Sequence, residues 1–330
     1  MPTISELKQM QSLPLEQKIK KTQFRLKEWY EHYDGKVYLS FSGGKDSTVL
    51  RDIILNTPGI TDIPFVFIDT GLEYPEVRNF AISQQGATVV KPKMNFREVI
   101  DKYGYPVVSK IVSKIIKDAR SAGEQSNAYK KLYGTYLRKD GTKSLYNYKK
   151  WSYLYDAPFK ISGTCCDAIK KRTGHTYQKE EDRKPITATM AEESRLRKDA
   201  WMRNGCNAFD AGNPISTPMS FWTEQDILLY IKTHNLQIPS VYGDIVETGE
   251  TYTRFDKTLP ELKTTGVNRT GCMFCMFGAH LEKEPNRFQQ MQITHPKQWE
   301  WCMKPWDEGG LGLKDVLKYI NVPWCVNKED

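Results

Sequence analysis

Ser42-Gly43-Gly44-Lys45-Asp46-Ser47-Thr48 packs two adjacent glycines, three hydroxyls, an ammonium and a carboxylate into seven residues. Such a set can hold phosphate. Glycines let backbone N–H groups close on oxyanions, Lys45 can neutralise phosphate charge, and the hydroxyls of Ser42, Ser47 and Thr48 can donate hydrogen bonds. The spacing is not that of a Walker loop, whose first glycine would fall at position 39, which is Leu. A second reactive set is sulfur. Of seven cysteines, Cys165-Cys166 are adjacent, Cys272 and Cys275 form a C-x-x-C pair, and Cys206, Cys302 and Cys325 stand apart. Without an export signal the clustering speaks for metal or thiol chemistry rather than a disulfide framework. A 4Fe–4S cluster, a tetrathiolate zinc site and a redox dithiol all use such sulfurs. Adjacent cysteines are awkward for tetrahedral zinc, where spacings of two to four are usual. Cys302 and Cys325, beside Trp and Met, read as buried hydrophobes. The five histidines show no ligand or general-base spacing.

The elements around the loop explain how it would be held. Lys36–Phe41 is an apolar, β-branched and aromatic run that predicts a buried strand, and Thr48–Leu55 predicts a helix. A strand, glycine turn and helix N-terminus form a phosphate cradle, with the helix dipole adding positive potential. Pro64–Ile68 is a second predicted strand ending at Asp69-Thr70-Gly71. A helix over 75–85, a strand over 87–90 and a further strand over 185–190 follow. Residues 15–33 predict an amphipathic helix ahead of the first strand, and Thr223 caps another over 224–231. This alternation predicts a doubly wound parallel sheet, with ligands beyond the strand C-termini, so that Ser42–Gly44 and Asp69–Gly71 share a pocket. The expected organisation is a helical lead over 1–34, an α/β nucleotide-binding domain over 35–250, and a loop-rich, helical, cysteine-bearing region over 251–330.

Between Lys110 and Lys150 there are 11 basic and three acidic residues, interleaved with Tyr129, Tyr133, Tyr136, Tyr146 and Tyr148. The basic, Tyr-rich insertion over 107–155 suits phosphate contacts and base stacking, or a solvated helical hairpin over packed tyrosines. Net charge is +8 over 330 residues, which suits an anionic ligand. No apolar run approaches the ~20 residues that span a bilayer, and Met1–Lys8 shows no signal-peptide core, so no membrane partner and a cytoplasmic location are expected.

The loop resembles the PP-loop, S-G-G-x-D-S, of ATP pyrophosphatases with the adenine-nucleotide α-hydrolase-like fold. Phe67–Glu76 resembles the D-T-G-x-x-(F/Y)-P-E segment of the 3′-phosphoadenylyl sulfate (PAPS) reductase family. Glu193-Ser194-x-x-Arg197 resembles that family's (E/Q)-S-x-x-R, and Trp222-Thr223-Glu224-x-Asp226-Ile227 is similar to its helix entry. The resemblance runs from about residue 20 to 280. It implies that Ser42–Thr48 and Asp69–Gly71 bind an adenine nucleotide, that Lys45 and Asp46 serve catalysis with Mg²⁺, that Asp69 holds a metal or a ribose hydroxyl, and that Arg197 pairs with an anionic group. Cys165, Cys166, Cys272 and Cys275 resemble the set that ligates a 4Fe–4S cluster in adenylyl sulfate reductases, with Cys206 as an alternative ligand.

Three features differ from the reductases. Their loop is usually degenerate at the lysine, whereas Lys45 is present. They use a cysteine in an E-C-G-L-H motif, which these residues lack, Trp324-Cys325-Val326 being the last cysteine here. Met190-Ala191 stand where an arginine pair is usual. The intact loop is similar to ATP-cleaving relatives: the nucleotide-transferring ATP sulfurylase subunit, tRNA thiolation enzymes and the DNA phosphorothioation component. The leading expectation is an ATP pyrophosphatase that adenylates an acceptor, tRNA or DNA among the candidates, and couples this to sulfur transfer, with a sulfur-donor protein as partner and an oligomer compatible with it. The alternatives are a PAPS or adenylyl sulfate reductase and a non-enzymatic nucleotide-gated adaptor.

Overall fold

A computed structural model describes residues 2–144, 146–255 and 257–326. Contacts divide the chain into two compact units: Met1–Asp69, Glu73–Lys91 and Thr173–Thr270 form the first, and Thr70–Leu72, Pro92–Arg172 and Gly271–Asp330 the second. In chain order the first unit opens with α1 (Ile4–Ser12) and α2 (Leu15–His32). It continues through β1 (Val37–Ser40), α3 (Lys45–Leu55), β2 (Phe65–Ile68), α4 (Pro75–Ser83) and β3 (Ala87–Val90). The second unit supplies α5 (Phe96–Tyr103), β4 (Val107–Val108), α6 (Lys110–Ala122) and α7 (Asn127–Leu132). The chain re-enters the first unit along α8 (Arg172–Glu180), β5 (Lys184–Ile186), α9 (Arg195–Asn204), β6 (Asn207–Ala208), β7 (Ile215–Ser216), α10 (Glu224–Thr233), β8 (Ile245–Arg254) and β9 (Lys257–Thr264). It closes in the second with β10 (Met276–Phe277), α11 (Arg287–Thr294), α12 (Pro296–Met303) and α13 (Leu313–Tyr319).

The α/β, parallel-sheet expectation holds. The main sheet has the order β3-β2-β1-β5-β7-β6. All its pairings are parallel except β6 with β7. The strand order turns back between β1 and β5, which makes the crevice beyond their C-terminal ends the place where such sheets take ligands. Leu39 of β1 pairs with Phe65 of β2 and Ile186 of β5, so Ser42 and Asp69 follow neighbouring strand ends. Burial of Lys18, Thr22, Leu26 and Trp29 at helical spacing turns one face of α2 onto the core formed by Val37, Leu39, Val49, Leu50 and Ile53.

Three local readings change. Helix α3 starts at Lys45 rather than Thr48, because Gly44 is the N-cap and the loop's Lys-Asp-Ser is the first helical turn. The 185–190 strand ends at Ile186. Residues expected to be loop-rich after Thr251 belong to an antiparallel hairpin, β8–β9, whose register shifts between Glu247 and Thr251, at Gly249. That interruption breaks the alternation by which a strand is recognised. Helix α1 was not anticipated, although Thr3 and Glu6 form a capping box at its start.

Candidate nucleotide loop and cysteine pocket

The loop's glycines answer to geometry. Gly43 has φ +73°, and a side chain there would meet the Ala81 Cβ at 2.8 Å and the Val77 carbonyl at 2.9 Å, so only glycine lets the loop lie on α4. Ser42 Oγ and Ser47 Oγ lie 2.9 Å apart, and the Ser47 and Thr48 hydroxyls donate to the Gly44 carbonyl at 2.9 and 3.0 Å. In this state the expected hydroxyl donors therefore knit the loop to its own helix.

Lys45 is 2 % exposed. Its Nζ donates to the Asn268 carbonyl at 3.0 Å and lies 3.3 Å from Glu224 Oε1 and 3.5 Å from Asp46 Oδ1. Burial pulls its pKa down, but the Asp46 and Glu224 carboxylates outweigh that and raise it, so the buried ammonium stays charged. Burial raises the Asp46 pKa against the pull of Lys45. Asp46 Oδ1 is buried, with the Lys45 ammonium 3.5 Å away, and such a carboxylate oxygen is one that a divalent cation could share. The Lys45 amide, first of the α3 N–H groups, donates to the Tyr242 hydroxyl at 3.2 Å, and Tyr242 and Thr270 hydroxyls lie 2.7 Å apart. Glu224, Tyr242, Asn268 and Thr270 were not singled out from sequence. Glu224 lay inside the quoted Trp-Thr-Glu motif, but the other three carry no local signal.

Asp69 is held by a bidentate ion pair: Arg78 of α4 donates through Nε at 2.8 Å and through its terminal nitrogen at 2.7 Å. Pro75 opens α4 in its first turn, as expected, and so sets the distance from Asp69 to Arg78. Thr70 Oγ1 accepts from the Leu72 amide at 3.3 Å, and Gly71 turns the chain with φ +71°. Ser194 caps α9 by accepting the Arg197 amide, which places Arg197 in the helix's first turn, paired to Glu193. Burial, and then the like charge of Arg269, lower the Arg197 pKa.

The second unit holds the other candidate centre. Cys165, Cys166, Cys272 and Cys275 line one small pocket, with Leu72, Phe96, Pro106, Ile169 and Lys170. Cys165 and Cys166 enter a π-helical turn, Asp167–Lys171, and their sulfurs are 4.0 Å apart. The C-x-x-C turn closes on itself, Cys275 N donating to Cys272 O at 3.2 Å, and is tied down where Met273 N donates to Leu72 O at 2.8 Å. Parallel pairing of β10 with β4 fixes the residues that follow. Within the adjacent pair the thiol of Cys165 donates to Cys166, which lowers the Cys166 pKa and raises that of Cys165; Lys110 and Lys170 also favour the Cys166 thiolate. Burial raises Cys275. Among the described residues no three His, Cys, Asp or Glu side chains converge on one point as a single-ion site requires.

Cys206 is placed in the hydrophobic core of the first unit, 3.3 Å from the Ser220 hydroxyl, and is not among the pocket's lining residues. Cys302 is fully buried, which pushes its thiol up to about 12. In the insertion, Tyr129 stacks on Tyr133 at 4.3 Å and both meet Tyr155, while Arg120 donates to the carbonyls of Leu154, Tyr155, Ala157 and Phe159. Those aromatic faces are engaged with one another; Tyr146 is 67 % exposed.

A largely parallel α/β sheet with a glycine loop between its first strand and helix, at the strand-order reversal, places the chain in the doubly wound α/β class, whose ligand crevice lies at that reversal. Within that class the match is specific: the phosphoadenosine phosphosulfate reductase domain model covers residues 36–276, and the chain belongs to that family. Two curated relatives come from Methanocaldococcus jannaschii. Uncharacterized protein MJ0973 is 34% identical over 121 residues, 34% of this chain and 29% of the relative. Uncharacterized protein MJ0066 is 39% identical over 85 residues, 24% of this chain and 18% of the relative. The chain thus spans under a third of the length of the curated relatives it matches. A crystal structure of PAPS reductase from Candida auris, a phosphate complex, aligns over 73% of this chain and 91% of that one, with 15% identity and a TM-score of 0.37. Among the described residues no helix is long and apolar enough to cross a membrane.

Proposed function

We propose that this member of the family is an ATP pyrophosphatase that adenylates an acceptor and couples the step to sulfur transfer. The observation that carries the reading is Lys45: a buried, charged ammonium in the first turn of α3, inside an intact Ser-Gly-Gly-Lys-Asp-Ser loop. A lysine kept charged against burial is worth retaining where phosphate charge develops. The β- and γ-phosphates would lie on Lys45 and the α3 N-terminus. Asp46, a buried carboxylate beside Lys45, would hold Mg²⁺. An acceptor oxygen attacks the α-phosphorus, the α–β bridging bond breaks, and pyrophosphate leaves with its charge on Lys45 and the metal. A sulfur nucleophile from a donor then displaces AMP from the acceptor. Asp69, fixed by Arg78, would orient the ribose or a metal, and Arg197 would meet an anionic group of nucleotide or acceptor.

Cys165, Cys166, Cys272 and Cys275 would hold a 4Fe–4S cluster, because four soft thiols line one pocket. When bound, the cluster would supply electrons or a sulfur site. The four thiolates would bind it, with Leu72, Phe96, Ile169 and Lys170 beside them in the lining. The exposed basic side chains of the 107–155 segment, Lys114, Lys117, Lys139 and Lys143 among them, suit a nucleic-acid acceptor.

Sulfonucleotide reduction is the second reading, favoured by the family to which the chain belongs. It requires PAPS or adenylyl sulfate as substrate, no ATP turnover, and a cysteine nucleophile such as Cys325. Anaerobic purification, iron analysis and a pyrophosphate-release assay with ATP, alone and with tRNA or DNA, separate the two. Iron-bearing protein that releases pyrophosphate supports the proposal. Reduction of a sulfonucleotide without pyrophosphate release, lost in Cys325→Ser, supports the second reading and removes the first.

A further inference from the structure

The groups around Lys45 and the start of α3 are oxygens from other segments: a backbone carbonyl, a carboxylate and a hydroxyl. The Asn268 carbonyl takes the ammonium at 3.0 Å, Glu224 stands at 3.3 Å, and the Tyr242 hydroxyl takes the Lys45 amide at 3.2 Å. Thr270 holds Tyr242 in place at 2.7 Å. The space is filled: a Cβ built on Gly44 would lie 3.1 Å from both the Thr270 and the Tyr242 hydroxyl oxygens. Tyr242 is 1 % exposed, and burial raises its pKa, so it contributes no charge at a helix end that favours an anion. Arg269 lies between two of these partners in the chain, and its side chain is exposed. Its charge acts on both Arg197 and Asp46.

We propose that Asn268-Arg269-Thr270, with Tyr242, is a second wall of the phosphate site that holds the cradle in the absence of ligand and yields it to a polyphosphate. The inference rests on the nucleotide reading above and adds the residues that set its affinity. Entry of phosphate removes the Asn268 carbonyl from Lys45 and the Tyr242 hydroxyl from the helix N-terminus. Arg269, now facing an anion rather than the like charge of Arg197, becomes a phosphate partner. A charge-assisted hydrogen bond replaces neutral ones, which gives the exchange its direction. A chain whose competent state is only partly populated binds with an affinity reduced by that fraction, so weakening the wall's own contacts should tighten binding.

The test titrates inorganic pyrophosphate and ATP calorimetrically into the full chain and three variants: Tyr242→Phe, Thr270→Val and Arg269→Gln. The first two remove one hydroxyl each at constant shape, and melting temperature checks that they fold. We expect both to bind pyrophosphate about threefold to tenfold tighter, and Arg269→Gln to bind about tenfold weaker, as loss of one charge-assisted bond implies. Hydrogen exchange at the Asn268–Thr270 amides should rise when pyrophosphate binds the wild type. If the wild type binds ATP but the hydroxyl variants bind no tighter, or Arg269→Gln is unchanged, the second wall is overturned while the nucleotide reading stands. If neither probe binds any of the four proteins, both fall together.

Discussion

At the glycine loop, Lys45 has Asn268, Glu224 and Asp46 against it, Asp69 has Arg78, and Arg197 has Glu193. In the cysteine pocket the lining is mostly apolar, with Lys170 among it, and the Cys165 and Cys166 sulfurs lie 4.0 Å apart. The first region is saturated with its own partners. A ligand must displace something to enter, and its gain is the difference between two sets of polar contacts. A metal centre on the second would require deprotonation of its thiols.

The comparison predicts that the two regions fail separately. Lys45→Gln should lower pyrophosphate release by about 10²–10³-fold, the scale of losing one charge-stabilising donor, with iron content unchanged. Cys272→Ser should abolish visible absorption and most iron while leaving pyrophosphate binding within about twofold of wild type, a difference too small to reflect a lost contact. Loss of iron in Lys45→Gln, or loss of pyrophosphate binding in Cys272→Ser, would show that the two regions depend on one another. Iron assay and calorimetry on both variants decide it.

What sequence could reveal follows the same division. The glycine loop is legible because its requirements are local: a strand, two glycines and a helix start within about fifteen residues. The cysteine pairs are legible because thiol spacing is itself a signal. The partners of Lys45 are not, because Glu224, Tyr242 and Asn268 come from positions about 180 to 220 residues downstream and only the fold brings them back. The β8–β9 hairpin hid behind Gly249, which interrupts the pairing. Ser194 shows how a motif carries a structural part: its hydroxyl caps α9, and the cap is what places Arg197. The insertion's tyrosines are compatible in sequence with base stacking or with packing beneath a hairpin, and Tyr129, Tyr133 and Tyr155 pack on one another.

A smaller effect is expected at Asp69. Asp69→Asn removes the charge of a buried carboxylate and one arm of its pair with Arg78, whose side chain is 41% exposed and can turn to water. Stability should fall by only about 1–2 kcal/mol, measured by urea unfolding. Nucleotide affinity should fall further than that figure if Asp69 touches ribose or metal. An affinity loss no larger than the stability loss would reduce Asp69 to a holder of α4.

A pH-dependent effect concerns the support behind Glu224. Lys18 of α2, Asp226 of α10 and Arg254 of β8 form a buried triad in which Asp226 takes both cations, Lys18 at 2.5 Å. Asp226 also caps α10, accepting from the Thr223 amide at 2.7 Å, so the triad fixes the helix start that presents Glu224 to Lys45. Burial, aided by Arg254, lowers the Lys18 pKa to about 8 from 10.5, against the attraction of Asp226. Between those values the unfolded chain keeps the proton and the folded chain does not. The sign is therefore positive: Lys18 makes stability rise with pH through this window, and the contribution is lost as pH falls through 8. Its ceiling is roughly 3 kcal/mol, reduced by whatever structure persists in the unfolded chain. Lys18→Met removes the titration and fills similar volume. Urea unfolding at several pH values from 7.5 to about 10.5 should show wild type gaining on Lys18→Met as pH rises. Parallel curves would mean that Lys18 keeps its proton throughout, and that the triad is held as an ion cluster as firmly as Lys45 is held at the loop.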